Sequence, residues 1–266
     1  MSAVFMWIKA SWKVILPILA VAQLMVLYNV QPVDGVPFGW RVDWSWMLSV
    51  WSGATLLMSP VAAAGVVALV LINVNGEVQQ GLPAHVQRWR PVAHISAAVA
   101  VQGFAVQLVA LGICALVCWL CQADPRGVTL PWQLLTAPFA LLAGIAVGSA
   151  VALLLPTFWS IPGTLFALFL AHRIFFWHGW PELFTTEMAT WMVTGGRPIP
   201  RFLAATTWLN IVTAVAIWSG LIFVTHRGWH RPWWALLVCI AGIGAALAIY
   251  LPFVLADAMD TYEPLG

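Results

Sequence analysis

GVTLPWQLLTAPFALLAGIAVGSAVALLLPTFWSIPGTLFALFLAH, residues 127–172, runs for 46 residues without one charged side chain. A single membrane crossing needs about 20 apolar residues, so this run is too long for one helix and long enough for two. Pro156 and Pro162, with Trp159 and Ser160 between them, supply a turn that divides it. The two halves show no alternation of polar and apolar residues, which excludes the strand of a membrane barrel. A helical hairpin within a bilayer is the reading that remains.

The rest of the chain is built the same way. Of its 266 residues, 62% are hydrophobic and 8% are charged, against roughly 25% charged in a soluble domain. Such a surface argues against a soluble enzyme. The apolar and aromatic content argues equally against disorder. Charge-free runs also cover 14–33, 44–76, 91–123, 202–226 and 232–256. The expected architecture is an all-α polytopic membrane protein, a single transmembrane domain of six to seven helices over residues 1–266. The segments are about 14–31, 46–73, 94–121, 132–155, 161–177, 203–225 and 233–255. A cytoplasmic loop is expected over 74–93, and a short outer interfacial or re-entrant segment over 178–201. The N-terminal run contains Pro17 and lacks a clear small-residue cleavage site, so it reads as a retained helix.

Orientation follows from the short connections. With the N-terminus cytoplasmic, Lys9, Lys13, Arg88, Arg90, Arg227 and Arg231 lie inside and Arg41, Arg126, Arg173, Arg197 and Arg201 outside. That small excess favours an inner N-terminus and, after seven crossings, an outer C-terminus. Many of the 18 tryptophans fall at segment ends, where an indole is at home among headgroups. Trp40, Trp44 and Trp46 are read as such anchors, with a substrate-binding cluster as the rival. Gly144 and Gly148 form a small-xxx-small pair that admits a close helix contact, inside the chain or between chains.

Several chemistries lack their residues. The segment centres carry no Asp, Glu, Lys or Arg, which disfavours carboxylate proton relays. His172 and Arg173 are placed at the end of the fifth segment, within snorkelling reach of the interface. Cys114, Cys118 and Cys121 share a helical face, but buried thiols acting as small apolar side chains are favoured over a metal site. No metal ligands and no catalytic residues are assigned, and no basic block suggests nucleic acid. The only lysines, Lys9 and Lys13, lie outside any Gly-rich phosphate loop, so ATP chemistry would have to come from a partner.

The longest polar inner loop reads NVNGEVQQGLPAHVQRWRP, residues 73–91. It follows a helix containing Ser59-Pro60-Val61-Ala62-Ala63-Ala64. This order resembles permease subunits of ABC-2-type transporters, of the divergent actinobacterial kind, in which a small-residue second helix leads into an E-x-x-x-G loop ending near Arg-Pro. The matching positions are Pro60, Ala62 to Ala64, Glu77 with Gly81, and Arg90-Pro91. The order of elements matches over about residues 10–175. Gly76 stands where an arginine often precedes the glutamate, and a seventh helix exceeds the usual six.

The resemblance implies an ATP-driven exporter in the plasma membrane. A second permease subunit, the same or a related chain, would complete the pathway through the lipid bilayer. Separate ABC ATP-binding subunits would carry ATP and Mg, and this chain would bind no cofactor. Glu77, Gly81, Arg88, Trp89 and Arg90 would form the ATPase-coupling loop. Trp180, with Glu182, Glu187 and Trp191 of a short helix spanning Glu182 to Thr194, would form an outer gate, the rival reading being a segment that simply caps the bundle. The alternative is a non-transporting structural or assembly subunit of a larger membrane complex. A lipid-directed membrane enzyme is disfavoured by the shortage of converging polar groups.

Overall fold

A computed structural model describes residues 3–29, 39–73, 89–125, 128, 131–178, 180–184, 196–198, 200–225, 232–255 and 262–264. Among them, six stretches are long and apolar enough to cross a membrane: Ala3–Tyr28, Trp44–Asn73, Trp89–Leu120, Trp132–Leu154, Arg201–Thr225 and Trp233–Pro252. The chain is an all-α polytopic membrane protein. Its helices are α1 (Ala3–Asn29), α2 (Trp44–Gly53), α3 (Thr55–Asn73), α4 (Trp89–Leu120), α5 (Trp132–Leu154), α6 (Ser160–Trp177), α7 (Pro200–Thr225) and α8 (Trp233–Leu255). Helix α6 has 18 residues and is the shortest after α2.

Helix boundaries depart from the charge-based expectation for physical reasons. Helix α1 begins at Ala3 rather than near residue 14, because Lys9 and Lys13 lie on its exposed side and lysine is a good helix former. Helix α4 begins at Trp89, ahead of Pro91. A proline in the first turn removes only an N–H that has no partner there. The second crossing is interrupted at Ala54, just after Ser52-Gly53, a pairing that favours a bend. Residues 182–184 are not helical, so the expected helix from Glu182 does not start there, and 185–195 lie outside the described residues. Strand β1 (Gly196–Pro198) pairs antiparallel with β2 (Tyr262–Pro264). Three-residue strands are too short to leave a periodic signal in sequence.

Cross-contacts fix which ends meet. The end where α1 starts, α3 finishes and α4 starts is called the near face. At the far face Trp40 donates its indole N–H to Leu27 O, Trp44 N donates to Asp124 O, and Thr136 bonds Thr207 at 2.9 Å. Residues 196–198 and 262–264 pair at that same end. Trp40 is buried at 4% exposure, so it packs in the core beneath the far face instead of anchoring in headgroups.

Helix α3 is central and packs against α1, α4, α5 and α6. Its crossing is 61% buried, against 6% for α8. Among the described residues α7 is the one helix against which α8 packs extensively. The core falls into two clusters. One, towards the near face, includes Leu19, Met58, Val66, Ile95 and Leu141. The other includes Met47, Val50, Trp51, Cys114 and Cys118. Cys121 is exposed, and Cys118 Sγ donates to Trp40 O at 3.7 Å.

The Gly144–Gly148 pair makes an internal contact, against α3. Ser59 Oγ occupies the space a β-carbon on Gly144 would take, and one on Gly148 would lie 2.5 Å from Ala63 O. Hydroxyls line the same seam: Ser45, Ser49, Ser52, Thr55 and Ser59 are all at most 3% exposed. Gln133 Nε2 donates to Ser45 Oγ at 3.2 Å, Ser59 Oγ donates to Ala140 O at 3.3 Å, and the hydroxyls of Ser96 and Ser149 lie 2.7 Å apart. Interhelical bonds of this kind are worth about 0.6 kcal/mol each in lipid.

Gly148→Leu is expected to destabilise the bundle by roughly 1–3 kcal/mol through overpacking. Gly112→Ala, where a β-carbon meets nothing within 4 Å, is expected to be neutral or stabilising by up to about 1 kcal/mol. Maleimide labelling of Cys114 and Cys118 during heating in detergent, after exposed Cys121 has been blocked, reads both midpoints. Equal midpoints would refute the close-contact account.

Candidate functional site

Helix α7 carries one amide side chain within an otherwise apolar and hydroxyl-bearing run, Asn210. It lies ten residues from Pro200 and fifteen from Thr225, about 15 and 22 Å along the axis. That is well inside a hydrocarbon layer about 30 Å thick. Its exposure is 0%. Every polar atom of the amide is engaged. Oδ1 accepts from Phe184 N at 2.9 Å, while Nδ2 donates to Glu182 O at 3.0 Å and to Thr206 O at 2.8 Å.

One side chain thus fixes a non-helical segment, 180–184, deep in the bundle. In lipid an irregular backbone persists only where protein or water satisfies its polar groups, and Asn210 supplies those partners. Phe184 holds φ at 69°, a left-handed conformation disfavoured for a bulky residue. Such strain costs on the order of 1–3 kcal/mol and persists where surrounding contacts over-determine it.

Glu182 is not at the outer surface. Its side chain is 1% exposed, and Oε1 lies 4.0 Å from Nδ1 of His172, which is 0% exposed. His172 sits twelve residues into α6, about 18 Å from its start. The pair replaces the expected snorkelling end of the fifth segment with a buried polar contact. Carboxylate and imidazole are costly to bury unless paired, so their presence here marks a site. Thr206 adds a buried hydroxyl for which no hydrogen-bond partner is found among the described residues.

An aromatic group closes the segment towards the far face. Phe175, Trp180 and Tyr250 meet edge to face, with centroids 6.3, 5.7 and 5.4 Å apart, and His178 stacks on Trp180 at 4.3 Å. These separations match the favoured geometry of aromatic pairs.

The structure therefore brings Trp180 and Glu182 together with His172 and Asn210. Trp89 and Arg90 lie at the other end, at the start of α4, with the Arg90 guanidinium carbon 5.8 Å from the Trp89 ring centre. Glu77, Gly81, Arg88, Glu187 and Trp191 lie outside the described residues. Among the described residues no three His, Cys, Asp or Glu side chains converge. Asn210 escaped the sequence reading, although a lone amide in a helix that is apolar or hydroxyl-bearing beyond Arg201 is itself a signal, and His172 reads as interfacial from sequence alone.

Comparison with known proteins gives no match: no family model fits the chain, and no curated protein or solved structure matches it.

Asn210→Leu leaves the Phe184 N–H and Glu182 C=O buried without a partner, a penalty of about 1–3 kcal/mol each. The segment is then expected to leave its seat. In a chain whose native cysteines are replaced, Leu183→Cys should react with a water-soluble maleimide roughly tenfold faster when Asn210→Leu is added. An unchanged rate would mean that Asn210 does not hold the segment.

Proposed function

We propose that this chain is the membrane-spanning permease subunit of an ATP-driven ABC transporter, working as an exporter in the plasma membrane. The observation that carries this reading is the non-helical segment 180–184, held by Asn210 of α7 just before a long crossing. ABC-2 permeases, which the chain resembles, often carry short re-entrant or interfacial helices before their last crossing, and this segment stands ahead of the last two.

In this reading the near face is cytoplasmic and α8 ends outside. Helix α4 has 32 residues, about 48 Å of helix against a hydrocarbon layer of about 30 Å. It can therefore carry a push from the near face into the bundle. Trp89 and Arg90 stand at its near end, directly after the loop that includes Glu77, Gly81 and Arg88. Separate ATP-binding subunits with ATP and Mg would act on that loop. A second permease chain would complete the pathway. Trp180 and Glu182, with Glu187 and Trp191 further along the same connection, would form its outer gate.

Energetically the gate needs two packings of similar free energy, since a partner shifts an equilibrium only by its differential affinity for the two states. Strain at Phe184 opposes the hydrogen bonds to Asn210, which keeps the seated and unseated arrangements close.

Purification in mild detergent is expected to recover an ATP-binding subunit with the chain. In the reconstituted complex Glu77→Ala and Gly81→Pro are expected to lower coupled ATP hydrolysis roughly tenfold, about 1.4 kcal/mol. Recovery of the chain without any ATPase would count against the permease reading. Full coupling in both variants would remove the loop's role.

A further inference from the structure

A slot of about 240 Å³ runs between α6, α7 and α8, with Leu183 of the re-entrant segment in its wall. Along α7 it extends from Leu209 to Ile217, and along α8 from Tyr250 back to Gly242. Each span is eight residues, about 12 Å of helix. The slot is therefore long and narrow and lies parallel to the helix axes. Its lining is apolar apart from Thr213 and the Tyr250 ring. Tyr250, packed against Phe175 and Trp180, closes its far-face end.

We propose that this slot is a binding site for one acyl chain of a bilayer lipid. Three observations select that occupant. The slot is open on one side and continuous with the surface of α8, where Leu237, Ile240, Ile243, Leu247 and Leu251 are exposed. On a helix of a polytopic membrane protein, hydrocarbon is what meets such a surface. Its length of about 12 Å along both helices matches a chain lying along the membrane normal. The aromatic rings that close the far-face end lie at the level where an acyl chain meets its headgroup, so a chain entering through the open side has its headgroup beside them.

Leu183 couples this site to the re-entrant segment. With the segment seated on Asn210, Leu183 forms part of the slot wall; unseated, the wall is lost and the slot opens towards the far face. An acyl chain in the slot therefore holds 180–184 in place. This inference is independent of the permease reading, since it needs neither an ATPase nor a transported substrate.

The test uses the full chain in liposomes of phosphatidylglycerol carrying a photoactivatable diazirine near the end of one acyl chain. Labels are mapped by mass spectrometry. Peptides covering 209–217 and 242–250 are expected to be labelled more strongly than the exposed face of α6 around Phe166 and Leu170. Ala246→Phe fills the slot and is expected to cut that labelling roughly tenfold, while labelling along α1 and α4 is unchanged. Native mass spectrometry of the unmutated chain in mild detergent supplies a second readout, expected to show a retained phospholipid. Uniform labelling of all exposed helices overturns the proposal, as does a chain that retains no lipid. Protein–protein crosslinks through α8 in place of lipid adducts would mean that a second copy covers the slot, which also overturns it.

Discussion

Gly148 against the backbone of Ala63 is the contact on which the bundle turns. In lipid there is no hydrophobic drive to press helices together, so association depends on how closely their backbones approach. Ser59 and Ala63 on α3 meet Gly144 and Gly148 on α5, which lets the two helices nearly touch. Because α3 is narrow on several sides, it can accept α1, α4 and α6 as well. The buried hydroxyls of Ser45 to Ser59 are compatible with this approach because each is short and can bond a carbonyl on its own or the next helix. Larger polar groups would hold the helices apart.

The region around Asn210 follows a different logic. Small residues bring backbones together, whereas Asn210 keeps a piece of non-helical backbone in a place that normally admits only helix. It does so with a single planar group that both donates and accepts. His172 and Glu182 lie beside the same non-helical segment, so a carboxylate, an imidazole and an amide are gathered there. The remainder of the crossing surfaces stays apolar, and exposed side chains such as Leu108, Phe166 and Leu247 cover it.

Much of the architecture was legible in the chain's letters. Pro156 and Pro162 marked a real break, for residues 155–159 are not helical and α6 starts at Ser160. Gly144 and Gly148 announced a close contact, although only the folded arrangement assigns it to one molecule, against α3. Lys9 and Lys13 misled because a charge ends a hydrophobic run without ending a helix. Glu182 misled in the opposite way: a carboxylate flanked by turn residues reads as surface. Its burial depends on His172 and Asn210, ten residues before it and 28 after it, and no local pattern records such a meeting. The left-handed backbone at Phe184 was equally hidden, since nothing but tertiary contact holds a phenylalanine there.

The short pairing of Gly196–Pro198 with Tyr262–Pro264 has a consequence for how the protein is made. Among the described residues, helices α7 and α8 share the most extensive helix contact, and the strands join the residues before α7 to those after α8. The hairpin is thereby closed into a loop with a clasp at one end. Strand β2 cannot reach its partner until α8 has traversed the bilayer, so the clasp is the last join in this part of the chain. Until it forms, α8 is tethered through its connection and its contact with α7 alone. Assembly thus passes through an unfastened stage, in which a late helix awaits its final tie.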